Sequence, residues 1–266
     1  MEGKKSFTSR KTPGDAIEIP TWKSNKRHRR ATPPRQDWAT MISVIIPAHN
    51  EEDYIGMTLD ALSRQNYPYF EVIVVANGCH DRTAQIALKA CDRLVVLSDK
   101  NLGVARNLGA KLARGELLMF LDADTVLEPG ALEIVAHKFT HEYATGTFKG
   151  RPDNCERWSF RVIYAVKNFI HRWALHRGSS GVILCWKRDF LAARGFDEAL
   201  QVRENSELIR RLGIFGKYRY IGETAATTSM RRYQTAGTGR MIFYWFKLWL
   251  QSLFSDLRNK EYETVR

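Results

Sequence analysis

Short apolar runs alternating with amphipathic stripes predict an α/β fold built on a doubly wound, mostly parallel sheet. Ser43-Val44-Ile45-Ile46, Glu71-Val72-Ile73-Val74-Val75, Leu94-Val95-Val96 and residues 117–121 are continuous apolar or nearly apolar runs, as parallel strands covered on both faces require. A helical pattern follows each of the first three. Ile55, Leu59 and Leu62 form one stripe, residues 81–90 read as a second helix, and Val104, Leu108 and Leu112 stripe a third. Sheets of this kind bind ligands beyond the carboxyl ends of their strands. The residues just after each run are therefore the first candidates for a site.

Downstream of Pro129 the pattern is less regular. Helices are expected over residues 132–139, 158–173 and 204–212, with a strand over 182–186. This half should hold the acceptor side of any two-substrate site. Residues 239–256 carry Met241, Ile242, Phe243, Tyr244, Trp245, Phe246, Leu248, Trp249, Leu250, Leu253 and Phe254, broken by Arg240, Lys247 and Gln251. That segment suits either a helix in the headgroup zone of a membrane or one packed on the domain core.

A chain of 266 residues with 44% hydrophobic content accommodates one large α/β domain. The expected division is a disordered basic arm over 1–40, a catalytic domain over 41–235 and a C-terminal amphipathic aromatic helix over 236–266. Residues 1–40 hold ten Lys or Arg against four acids, half of the net charge of +12. Their few apolar residues show no period, so they cannot bury enough surface to offset chain entropy. Cys79, Cys91, Cys155 and Cys185 match neither a CxxC metal pair nor a dense disulfide framework, which suggests reduced thiols. No apolar stretch approaches the ~20 residues that span a bilayer, and the N-terminus lacks the apolar core of a signal peptide. A cytoplasmic protein, peripheral on the inner face of the membrane, is the expected setting.

The strongest chemical signal is the run from Leu117 to Leu121 ending in Asp122-Ala123-Asp124. A buried strand that delivers two carboxylates to its tip offers hard oxygen ligands to a divalent cation, Mg²⁺ or Mn²⁺, that also meets a diphosphate. Three further polar segments end the other strands at the same edge. They are Pro47-Ala48-His49-Asn50-Glu51-Glu52, Asn77-Gly78-Cys79-His80-Asp81-Arg82-Thr83 and Asn101-Leu102-Gly103-Val104-Ala105-Arg106-Asn107. Each alone could be a turn with a helix cap. Four in register are harder to explain as turns.

With Gly195-Phe196-Asp197-Glu198 added, these motifs resemble the inverting glycosyltransferase family 2 with its GT-A fold, over residues 42–232. The resemblance implies a nucleotide-sugar donor, UDP- or GDP-linked, at the strand edge. It assigns Pro47, His49 and Glu51 to the base and ribose pocket and places Asn77 where the family often reads the base with Asp. Arg106 would steady the nucleotide, and Asp122 with Ala123 would approach the ribose and metal. Asp124 would be the main metal ligand, Gly181 would lie under the acceptor site, and Arg231 or Arg232 would clamp the diphosphate. The implied acceptor is lipid-linked or a saccharide, in glycan, glycolipid or glycoprotein synthesis.

The departure is at the catalytic base. Where the family carries a Glu-Asp pair, this chain reads Glu204-Asn205, and Asn cannot take a proton. Glu204 could serve instead, or the acceptor could be an already ionised polyprenyl phosphate that needs no base. Glu204 could also simply favour the positive end of its helix. Two rivals rank lower. A sugar nucleotidyltransferase would want a basic Gly-rich loop after the first strand, where this chain is acidic. A non-catalytic RNA- or membrane-binding module would have little use for Asp122 and Asp124, which repel polyanions, and no nucleic-acid partner is expected.

Overall fold

The computed structural model describes residues 16–19, 40–174 and 178–254. In the N-terminal half the chain forms β1 (Ala16–Ile19), β2 (Ile42–Ala48), α1 (Ile55–Ser63), β3 (Phe70–Asn77), α2 (Thr83–Ala87), β4 (Arg93–Leu97) and α3 (Leu102–Leu112). It continues with β5 (Leu117–Leu121), β6 (Thr125–Leu127), α4 (Ala131–Lys138), β7 (Tyr143–Pro152) and α5 (Trp158–Arg172). The remainder holds β8 (Val182–Trp186), α6 (Lys187–Ala192), α7 (Glu204–Leu212), β9 (Lys217–Thr228), α8 (Arg231–Ala236) and α9 (Thr238–Phe254).

The strands form one sheet in the order β1-β4-β3-β2-β5-β8-β7-β9-β6. From β4 to β5 neighbouring strands run parallel, the doubly wound part that the apolar runs foretell. Beyond β5 the sheet is mixed: β8 is antiparallel to both β5 and β7, β9 is parallel to β7, and β6 is antiparallel to β9. Residues on alternate sides of each central strand feed two cores. Val44, Ile46, Val72, Val74, Leu117 and Met119 pack on one face with Leu59 and Leu62 of α1 and Leu132 and Val135 of α4. Ile45, Ile73, Val75, Leu118 and Phe120 pack on the other with Ala105 and Ala110 of α3, Phe190 of α6 and Leu208 and Leu212 of α7. Both faces are thereby dry, and the polar strand ends are the edge left open.

One expectation needs correction. The arm read as disordered contains an ordered stretch, β1, which lies antiparallel on β4 with Ala16 opposite Leu97 and Ile19 opposite Leu94. An edge strand presents unpaired backbone groups, and the alternating Ala-Ile-Glu-Ile segment satisfies them. Residues 1–15 and 20–39, with the Lys26-Arg27-His28-Arg29-Arg30 cluster, lie outside the described residues, as does the C-terminal tail after Phe254.

The parallel core also encloses a polar knot near the start of β2. Glu71, buried in β3, accepts hydrogen bonds from Ser43 Oγ at 2.7 Å, the Arg114 backbone N–H at 2.6 Å and Arg114 Nε at 2.9 Å. Removing the acceptor strands three donors. Glu71→Ala should therefore lower the unfolding free energy by about 2–3 kcal/mol, read as a lower denaturant midpoint at unchanged slope.

Candidate functional site

The loop after β5 is pinned from every side. Asp122 N–H donates to Gly181 O at 2.9 Å, Thr125 N–H to Asp122 O at 3.1 Å, and Thr58 Oγ1 of α1 to Ala123 O at 2.8 Å. Ser229 N–H, just past β9, donates to Asp124 O at 3.2 Å. Three separate segments and the turn's own bond thus fix the backbone that carries the two carboxylates. Gly181 earns its place by conformation: its φ is +80°, and a Cβ there would stand 2.5 Å from Thr125 Oγ1.

The two carboxylates have different surroundings. Asp122 is partly exposed and receives Arg106 Nη2 at 3.2 Å. Arg106 is buried, donates Nη1 to Glu204 Oε1 at 2.9 Å and lies 5.0 Å over the Phe196 ring. Asp124 is half-buried beside Asp122, Glu51 and Arg231, with Arg231 Nη2 at 3.4 Å. Desolvation first, then the Asp122 charge and more weakly Glu51, push Asp124 up to about 6 against the pull of Arg231 and Arg232. Arg231 also donates to Glu51 Oε1 and stacks 4.4 Å over Tyr54, while Glu51 Oε2 is buried without a hydrogen-bond partner.

The donor-side candidates sit at adjacent strand ends. Pro47 is buried inside β2, opposite Val75. His49 Nδ1 is 2.7 Å from Asn77 O, a contact in which Nδ1 donates and which leaves Nε2 for another partner. Asn77 Oδ1 accepts the Asn101 N–H at 2.8 Å, an internal use for the residue expected to read a base.

Among the candidates for an acceptor side, Glu204 is the first residue of α7, and Arg203 immediately before it adopts a left-handed φ of +61°. Asn205 Nδ2 lies 3.3 Å from Ser179 Oγ, and its Oδ1 is buried without a partner. The structure thus brings Glu51, Arg106, Asp122, Asp124, Glu204 and Arg231 into one charged network, with Arg232 close enough to act on Asp124. Gly195-Phe196-Asp197-Glu198 serves as scaffold: Asn107 of α3 accepts the Phe196 N–H at 2.8 Å and donates to Phe196 O at 2.9 Å.

Lys167 of α5 is a further candidate that sequence reasoning missed. It lies over the Tyr164 ring at 5.3 Å, and its charge feels Asp122 and Asp124. Burial pushes its amine below the usual lysine range while the two carboxylates pull it up. A lysine at helical spacing from Phe160, Tyr164 and His171, the buried side of α5, was the available signal.

Among the described residues no three His, Cys, Asp or Glu side chains cluster as a closed metal cage. The donor set nevertheless fits Mg²⁺ or Mn²⁺, which take one or two carboxylates and complete their shell with phosphate oxygens and water. The desolvated Asp124 and the unpartnered Glu51 oxygen are the acidic groups that a cation would relieve.

A doubly wound sheet with paired carboxylates at its carboxyl edge defines an α/β protein whose candidate cation ligands stand where such folds bind their ligands. The profile described as Glycosyl transferase family 2 matches residues 43–187, more than half of the chain, and the protein belongs to that family. The chain is similar to Glycosyltransferase AglE of Haloferax volcanii, 42% identical over 91 residues that cover 31% of this chain and 30% of the relative. It spans well under half the length of the curated relatives it matches. Two solved structures share the fold. S. aureus TarS with UDP-GlcNAc superposes with a TM-score of 0.57 at 21% identity, over 71% of this chain and 58% of that one. A Pyrobaculum calidifontis mannosyltransferase with GDP-Man and Mn²⁺ superposes at 0.63 and 17% identity, over 88% and 71%.

The raised Asp124 means that the folded chain holds this proton more tightly than the unfolded one. Without metal, its contribution to stability is complete below about pH 4 and is lost as pH climbs through about 6. Asp124→Asn removes that loss. Its thermal advantage over the parent in chelator should grow across this window and then level off, and a constant or shrinking advantage would contradict the assignment.

Proposed function

We propose that the protein is an inverting, metal-dependent glycosyltransferase that moves a sugar from a UDP- or GDP-linked donor to a lipid-linked or saccharide acceptor in glycan synthesis. The observation that carries this reading is the pinned Asp122-Ala123-Asp124 turn, whose half-buried Asp124 carboxylate sits among cations suited to phosphate. Membership of the family and the donors bound by its structural neighbours support it. When bound, Mg²⁺ or Mn²⁺ would neutralise the diphosphate leaving group as a Lewis acid.

The chain's own groups do the rest. Asp124 and Asp122 would hold the cation, with Asp122 kept in place by Arg106. Arg231, Arg232 and Lys167 supply positive charge around the developing diphosphate, and Arg231 would exchange its carboxylate partners for phosphate oxygens. His49 Nε2 and the Glu51 carboxylate offer acceptors to ribose or base hydrogen-bond donors. The setting we infer is the cytoplasmic face of a membrane, with α9 as one contact.

A second reading of the acceptor is favoured by one observation. Glu204 Oε1 is engaged by Arg106 and the neighbouring position is Asn205, so the best-placed carboxylate is already bound to a cation. An acceptor that arrives ionised, such as a polyprenyl phosphate, needs no base. Glu204 would then be a positioning residue that holds Arg106 on Asp122.

Calorimetry should find UDP or GDP binding with Mn²⁺ and none in chelator, with Asp124→Asn lowering turnover roughly a hundredfold or more. Equal affinity in chelator would overturn the metal-dependent reading. Glu204→Gln separates the two acceptor readings. A loss of roughly 10²–10⁴ in kcat marks a base, and less than about tenfold marks an acceptor that brings its own charge.

A further inference from the structure

The helices that flank the sheet turn their apolar faces inward, but α5 is apolar on both sides. Its inward side carries Phe160, Tyr164 and His171, all buried, with Phe160 and Tyr164 clustered with Met230 and Tyr233. On the opposite side Trp158, Val162, Val166, Phe169 and Trp173 stand in solvent, the two tryptophans 75% and 64% exposed. At 3.6 residues per turn these five fall within an arc of about 80° and run roughly 22 Å along the helix. Single exposed apolar side chains are ordinary, whereas a continuous row marks a contact surface. Arg161 and Arg172, both exposed, follow one edge of the row. The helix contains no Asp or Glu.

We propose that this row seats the protein on an anionic bilayer surface. Tryptophans at both ends, aliphatic residues between them and cations along one flank are what the headgroup zone accepts, since the rings sit at the interface and the cations meet lipid phosphates. A second copy is a poorer match. Two such helices bring arginine-edged rows together with no acidic side chain on either to neutralise them. The neighbouring α9 has the same character: it holds Arg240 and Lys247 but no acid, and it exposes Ile242, Phe243 and Leu250. The two helices are linked through α8, where Tyr233 stands near Phe160 of α5 and bonds to Trp245 of α9. None of the described helices is long and apolar enough to cross a membrane, so the contact is peripheral.

This docking deepens the membrane setting of the proposed function and gives it a geometry. The side of α5 opposite the row carries Lys167, which feels the Asp122 and Asp124 charges, so one helix joins the bilayer contact to the carboxylate turn.

The test is co-sedimentation of the full chain with phosphatidylcholine vesicles, with and without phosphatidylglycerol, for the parent and the Phe169→Ser/Trp173→Ser double variant. The parent should sediment with the phosphatidylglycerol vesicles, and the double variant should partition roughly tenfold less or weaker still. Its thermal unfolding and Mn²⁺-dependent nucleotide binding should match the parent. Failure of the parent to bind, or equal sedimentation of the variant, overturns the proposal. So does concentration-dependent dimerisation of the parent that the same substitutions abolish. Loss of nucleotide binding in a parent that still sediments would count against the donor site alone.

Discussion

A single buried guanidinium ties the site together. Arg106 leaves α3 and reaches Asp122 at the tip of β5, the next element of the chain, and Glu204 at the start of α7, 98 residues away. A buried cation without partners would cost several kcal/mol, so the two carboxylates and the Phe196 face that surround it are conditions for folding as much as for chemistry. Asn107, the next residue of α3, binds both backbone groups of Phe196 and so fixes the ring under Arg106. The carboxylate turn after β5 and the start of α7 meet at this one side chain. A change at Glu204 is therefore transmitted to Asp122.

The second constraint is negative charge gathered at one turn. Asp124 lies beside Asp122 and Glu51 where desolvation already opposes its ionisation, and Arg231 reaches both Asp124 and Glu51 to offset that charge. The same guanidinium stands beside the turn that would carry a metal and a diphosphate. Competition between internal carboxylates and substrate phosphates follows from electrostatics alone, without any large movement of the sheet.

The parallel half of the fold was legible because its strands are continuous apolar runs and its helices are striped. β5 and β8 fall on residues 117–121 and 182–186 as the sequence suggests. β7 and β9 were not legible. Their sequences, YATGTFKGRP and KYRYIGETAATT, mix Gly, Thr and charged residues, and they become strands because they pair with each other and with β8 and β6. β1 is of the same kind, since only the open edge of β4 gives its four residues a reason to extend. At the site, the Asp122-Ala123-Asp124 turn and Arg231 could be read as chemistry-bearing residues, but no local pattern reveals that Arg106 binds Glu204 98 residues away. Nor does one reveal that Asn77 and Asn107 use their amides to hold loops. Those roles come from tertiary contacts between segments distant in the chain.

The central claim is that the Asp122 and Asp124 carboxylates receive a divalent cation together with a nucleoside diphosphate. An anomalous difference map from crystals containing Mn²⁺ and UDP or GDP addresses it directly. The account predicts a peak at the Asp124 carboxylate, bridged to the diphosphate. Bound nucleotide with no such peak, or with the metal away from this turn, would contradict it.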